Sequence, residues 1–188
     1  MRLRGFWIIG LVQLLLTSCV IAVVVGAAAG VIVYDRRSLA VMDADLRIHH
    51  AIERQLAGDL RFKSSRIVPV SFNRVVLLLG QTPTVNLRNI VQRIAQNTAR
   101  VVRIHNEIHI GHSIALQQQT KDTWITSQVR SAMLTKKNLE SGSIRIVTEN
   151  GIVYLMGIVT IEQSNFAIAV ARRINGVQKV VKVFQYVR

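Results

Sequence analysis

One cysteine, ten acidic residues and few aromatics are what this sequence has least of, and each shortage excludes something. A single cysteine rules out an intrachain disulfide framework and any multi-cysteine zinc site. Ten Asp and Glu against 24 Lys and Arg leave a formal charge of +14 and a pI near 11.4. Such a chain is drawn to polyanions, which in a cell means chiefly nucleic acid or anionic membrane. Aromatics make up 5% of the residues, few for the stacking platforms that single-stranded nucleic acid needs. A glycine-rich phosphate loop, a nucleophile elbow and paired carboxylates on a shared face are all missing, so the chain reads as a non-enzyme without a cofactor. What is plentiful is apolar: half the residues are hydrophobic and mean hydropathy is +0.33, which excludes disorder as the main state. A length of 188 residues allows one ordinary domain or two small ones.

The apolar excess begins at the amino terminus. Met1 to Arg4 carry two arginines, and Gly5 to Tyr34 carry no charge. These thirty residues exceed the roughly 20 that span a bilayer, so a transmembrane anchor with its basic end inside is one reading. The other is a secretory signal with an apolar core at Phe6 to Leu16. Leu16-Thr17-Ser18 directly before Cys19 favours the signal, because this order resembles the bacterial lipobox, in which small residues precede a cysteine that is lipidated after cleavage. The expectation is therefore a covalent lipid (palmitate among its chains) on Cys19. Val20 rather than Asp follows it, so the inner-membrane retention signal is absent and the outer membrane is the expected destination. Val20 to Val33 stay apolar and read either as a span or as a tether lying on the membrane.

The rest of the chain is a duplication. At an offset of 77, Asp45 falls on Asp122, Ile48 on Ile125, Ile52 on Val129 and Leu56 on Met133. Asn73 then meets Asn150, and Gly80 meets Gly157. After a one-residue slip, Ile94 pairs with Val170, Val101 with Val177 and Ile108 with Phe184. Each copy reads helix, strand, strand, helix, strand. Apolar residues at 48, 52 and 56 make one helical stripe, with Asp45 as the expected cap and Asp122 as its counterpart. Ile144 to Glu149 and Ile152 to Met156 flank Asn150-Gly151, a strong hairpin signal because both turn residues need positive φ. Ser164 to Ile174 form the second helix and Val177 to Tyr186 the last strand. In the first copy the turn is Asn73-Arg74, where a left-handed arginine costs roughly 1 kcal/mol unless the turn type changes. Small domains of this kind are marginal alone, and packing one copy on the other would help.

With Asp122-Thr123-Trp124-Ile125-Thr126, Thr148-Glu149-Asn150-Gly151 and Leu155-Met156-Gly157 in the second copy and Gly80-Gln81 in the first, each repeat resembles the BON domain of bacterial envelope proteins. The resemblance implies an α+β fold of two tandem BON domains, each a small three-stranded sheet packed with two helices. The expected organisation is a signal peptide over 1–18, a lipidated tether over 19–42, BON domains over 43–110 and 120–188, and a linker over 111–119. With the lipobox, it implies a periplasm-facing outer-membrane lipoprotein that binds anionic phospholipid of the phosphatidylglycerol type through its second BON domain. It implies further a role in envelope integrity at division sites. An adaptor acting on cell-wall amidase activation or on the outer-membrane assembly machinery is the alternative, as is an inner-membrane protein held by an N-terminal span. Nucleic acid is not an expected partner, since an exported chain does not meet it.

The residues themselves suggest where lipid would bind. On the helix Thr123 to Leu134, Ile125, Val129, Ala132 and Met133 share the core stripe, whereas Trp124 and Leu134 lie off it. Ser127, Arg130 and Ser131 lie between them, and Lys121, Lys136 and Lys137 bracket the ends. An exposed indole and leucine ringed by cations suit a membrane interface. The alternative is burial of Trp124 and Leu134 against the first domain. The same positions in the first copy are Arg47 and Ala57. His109-Ile110-Gly111-His112 spells a nucleotide-binding signature but sits at a strand end without the α/β sheet that signature needs. His49, His50, His105, His109 and His112 are expected to be exposed or packing residues rather than metal ligands, because adjacent histidines point apart on a helix.

Overall fold

A computed structural model describes residues 35–135, 139 and 141–187. Cys19, the segment before it read as a signal peptide and the apolar stretch after it lie outside the described residues, as do Lys136 and Lys137. The described residues all fall in one compact unit.

The first repeat runs helix α1 (Leu39–Ala57), strands β1 (Arg66–Phe72) and β2 (Val75–Thr82), helix α2 (Val85–Gln96), and the short strands β3 (Arg103–Asn106) and β4 (His109–Ile110). The second runs helix α3 (Leu116–Leu134), β5 (Ile144–Glu149), β6 (Ile152–Val159), helix α4 (Ile161–Arg172) and β7 (Lys179–Tyr186). In each, an antiparallel hairpin is extended by a parallel strand that pairs with its second member. In the first sheet two short strands share the third place. β3 and β4 lie end to end along β2, occupying the place that β7 takes alone in the second sheet. The one-residue slip also has a place: three residues separate Gly80 from the helix cap Thr84, but two separate Gly157 from Thr160.

The helices start earlier than the sequence suggests, and for an identifiable reason. Ser38 caps α1 by accepting the N–H of Val41, so the helix begins inside the segment read as tether. Asp45 is therefore mid-helix and buried, not a cap. Arg37 holds this entry down: it pairs with Asp35 at 2.7 Å and with Asp45 at 2.9 Å, and it lies 4.0 Å over the ring of Phe72. Burial pulls the Arg37 guanidinium down, but its bonds to Asp35 and Asp45 outweigh this and raise it above its ordinary value. Helix α3 starts at Leu116, inside the segment read as linker, and Asp122 is likewise buried within it. Helix α4 starts at Ile161, three residues before Ser164, because Thr160 and Gln163 form a reciprocal capping box.

The core is three layers of side chains. Val76 and Leu78 of β2 pack with Ile48, Ile52, Val91 and Ala95 of their own helices. Val153, Leu155 and Val159 of β6 pack with Ile125, Val129, Met133 and Ala167. The alternate positions face the other way: Val75, Leu77 and Leu79 meet Tyr154, Met156 and Val183 in a third cluster. The two sheets are thus stacked, with helices on both outer faces. All eight residues of β2 are buried, which the unbroken run from Val75 to Leu79 encodes. Each fully buried side chain of this size contributes roughly 1.5–3 kcal/mol relative to exposure, so the repeats act as one body rather than two beads. The hydroxyl of Tyr154, buried between the sheets, is pushed up by burial first and then by the charges of Glu107 and Glu149.

The rim of this inter-sheet layer is polar and paired. Glu149 accepts from Arg66 Nε at 3.2 Å and from Gln81 Nε2 at 2.9 Å, and Asn73 Nδ2 donates to Gln185 at 2.7 Å. The repeated glycines explain themselves here. A Cβ on Gly80 would run into the carbonyl oxygen of Arg66, and one on Gly157 would sit 2.6 Å from that of Ser143. Each glycine lets the hairpin strands approach closely where β1 and β5 begin.

Candidate functional site

Helix α3 packs on its sheet through Ile125, Val129 and Met133, and this packing fixes which residues face out. Trp124 is 54% exposed and Leu134 47%. Lys121, Ser127, Arg130 and Ser131 are exposed as well. Burial of Trp124 and Leu134 against the first domain is therefore not what the fold does. The hydroxyls of Thr120, Thr123 and Ser127 bond back to carbonyls one turn earlier, at 3.0 Å each. They satisfy themselves within the helix, which leaves the apolar side chains and the cations as the groups that meet the surroundings.

The structure adds residues that sequence reasoning missed. Leu116, at the start of α3, is 75% exposed. Helix α4 packs beside α3 and exposes Ile161 and Phe166. Phe166 stands off the stripe of Ser164, Ala167 and Ala171, whereas Ile161 lies before the expected helix start at Ser164. On the first repeat, the residue equivalent to Trp124 is Arg47, paired with Asp43 at 2.7 Å. Helix α1 exposes Leu39 and Leu46 but holds no Phe, Tyr or Trp.

Basic charge continues from α3 towards the first repeat. Arg145 on β5 lines a small cavity with Arg37, Asp45, His49 and Ser71. Lost hydration, followed by the charges of Arg37 and Arg130, pushes its guanidinium below the ordinary value, with Asp45 opposing. Arg130 and Arg145 thus belong to one electropositive neighbourhood.

The buried carboxylates have structural work. Asp122 accepts the N–H of Asn150 at 2.7 Å and of Gly151 at 2.8 Å, and Gln118 donates to it at 2.9 Å. Asp45 accepts from Asn73 and Arg74, both at 2.7 Å, and from Ser71. Reading these aspartates as helix caps is corrected: they cap the hairpins. His109 and His112 are exposed around the end of β4. The histidine pair on α1 also departs from expectation. The rings of His49 and His50 do not point apart but lie 5.3 Å from each other, both near Glu53.

The BON domain matches twice, over residues 44–112 and 121–188. The chain belongs to the BON-domain family. The buried aspartates, the hairpins and the close-approach glycines are what its two BON repeats share. The outer membrane lipoprotein DolP of Haemophilus influenzae is 34% identical over 173 residues, covering 91% of this chain and 90% of its own. The 21 kDa hemolysin of Actinobacillus pleuropneumoniae is 34% identical over 155 residues, covering 82% and 80%. The chain is a dual-BON protein of the DolP type. Among solved structures, the C-terminal domain of CdsD from Chlamydia trachomatis is similar at a TM-score of 0.33 and 9% identity, covering 78% of this chain and 98% of that one, too slight a likeness to bear on function. Among the described residues no helix is long and apolar enough to cross a membrane.

Proposed function

We propose that this dual-BON protein is an outer-membrane lipoprotein, anchored through Cys19 and facing the periplasm, whose second BON domain binds anionic phospholipid through helix α3. The observation that carries this reading is the half-exposed Trp124 with Leu134 on α3, among Lys121 and Arg130, where the first repeat carries the Arg47–Asp43 pair. An indole settles at headgroup depth, and each cation near an anionic surface adds about 1 kcal/mol. Lys136 and Lys137 follow directly in sequence and would add to the same attraction. The kinship with an outer membrane lipoprotein supports the location. A lipid anchor and a lipid-reading face together make two attachment signals, which is what stable yet selective association requires. Because the sheets share one layer, a membrane bound at α3 also orients the first repeat, leaving it to act on envelope integrity, at division sites in this reading.

The test is flotation of residues 35–188 with vesicles of neutral lipid or of lipid containing phosphatidylglycerol. The segment should float with the anionic vesicles only, and Trp124→Ala and Leu134→Ala should each abolish this. A segment that stays at the bottom with both lipids would transfer the role of the α3 face to a protein partner, such as an amidase activator or the outer-membrane assembly machinery.

A further inference from the structure

Three donor side chains on α1, far in sequence from α3, converge without any part in lipid binding. His49, His50 and Glu53 each offer one ligating atom, and the three atoms lie within 4.8 Å of one another. His49 Nε2 is 3.2 Å from Glu53 Oε2, and His50 Nδ1 is 3.5 Å from the same oxygen. Donor atoms bound to zinc at about 2.0–2.1 Å in a tetrahedron are separated by about 3.3–3.4 Å, and the spacings of 3.2 and 3.5 Å lie just below and just above that.

The other nitrogen of His49 decides what can sit between them. His49 Nδ1 is 2.9 Å from the carbonyl oxygen of Pro69 on β1. A carbonyl can only accept, so Nδ1 carries a proton. In the neutral ring Nε2 then holds a lone pair, and that lone pair faces a carboxylate oxygen at 3.2 Å. Two acceptors at this distance repel unless a positive centre lies between them, either a proton or a metal ion. In zinc sites a ligating histidine commonly donates its second ring nitrogen to a backbone carbonyl, which fixes both tautomer and ring orientation.

The geometry points to a zinc site formed by His49 Nε2, His50 Nδ1 and the Glu53 carboxylate, with the remaining position open to water or to a donor from another molecule. Imidazole and carboxylate suit zinc without any thiolate. All three residues are partly exposed, at 33%, 58% and 47% of their side chains, so the ion has a path in and out. Arg54 donates to the His50 carbonyl and Arg47 is held by Asp43, so neither neighbouring cation is paired with Glu53.

The test is calorimetric titration of zinc into the full chain in detergent, repeated with cobalt(II), whose visible spectrum reports tetrahedral coordination. One ion per chain should bind, and His49→Gln, His50→Gln and Glu53→Gln should each weaken it at least about tenfold. Binding should be unchanged in a variant carrying His109→Gln and His112→Gln. His50 and Glu53 are surface residues, and far-ultraviolet dichroism of their variants separates ligand loss from loss of the helix. Zinc affinity unaltered by His50→Gln and Glu53→Gln, or no zinc binding by the unmodified chain, would overturn the assignment.

Discussion

Asp45 and Asp122, 77 positions apart, hold the two hairpin turns in the same way, each accepting two consecutive turn amides at 2.7–2.8 Å. Both carboxylates are buried, and the amides they satisfy belong to residues in left-handed conformation. Replacing Asp122 by alanine leaves two N–H groups without acceptors in a confined setting. The expected loss is about 2–6 kcal/mol, since each buried unsatisfied donor costs about 1–3 kcal/mol. Asp45→Ala should cost at least as much, because Arg37 also loses a partner. Urea unfolding of each variant measures both.

Arg74 offers a gain instead. Its φ of +62° is left-handed, where a side chain costs about 1–2 kcal/mol and glycine is free. The turn type is unchanged from the second repeat, where Asn150 and Gly151 have φ of 51° and 73°. Arg74→Gly should therefore stabilise the protein by up to about 1 kcal/mol after the extra entropy lost by glycine. A raised urea midpoint at unchanged slope checks it.

Glu149 joins the repeats at the rim of the shared layer, its side chain only 4% exposed. Glu149→Gln removes the charge that Arg66 and Gln81 address and should cost about 1–3 kcal/mol. Thermal unfolding should remain a single transition at a lower midpoint, because the apolar layer between the sheets persists. Two separate transitions in the unmodified protein would contradict a shared layer.

His105, on β3, gives stability a pH dependence. Burial first, and the charge of Arg103 second, hold its imidazole below the ordinary value, with Glu107 opposing. An unfolded histidine titrates near 6.5, so as pH falls the unfolded chain takes up this proton first. The contribution is full above about pH 6.5 and is lost as pH drops from there towards the folded value. Urea midpoints taken on both sides of pH 6.5 should fall less on acidification for His105→Gln than for the unmodified protein.

Much of this was written in the sequence. The offset pairs put Asp, Asn and Gly in equivalent places, and Asn150-Gly151 announced the turn between β5 and β6. Trp124 stood off its stripe by helical angle alone. The departures came where one element answers to another. Asp45 and Asp122 looked like helix caps because aspartate favours that position, but hairpin amides 28 and 29 residues away claimed them instead. Once they were not caps, the helices could extend back to Leu39 and Leu116. The convergence of His49 and His50 depends on the Pro69 carbonyl across the α1–β1 interface, which no local pattern reveals.

The most direct measurement is the fluorescence of residues 35–188, in which Trp124 is the sole tryptophan, since the other is Trp7. Adding phosphatidylglycerol vesicles should shift its emission to the blue, and brominated acyl chains should quench it, while neutral vesicles do neither. Vesicle binding with unchanged, unquenched Trp124 emission would contradict the account, because the membrane would then be held by some surface other than α3.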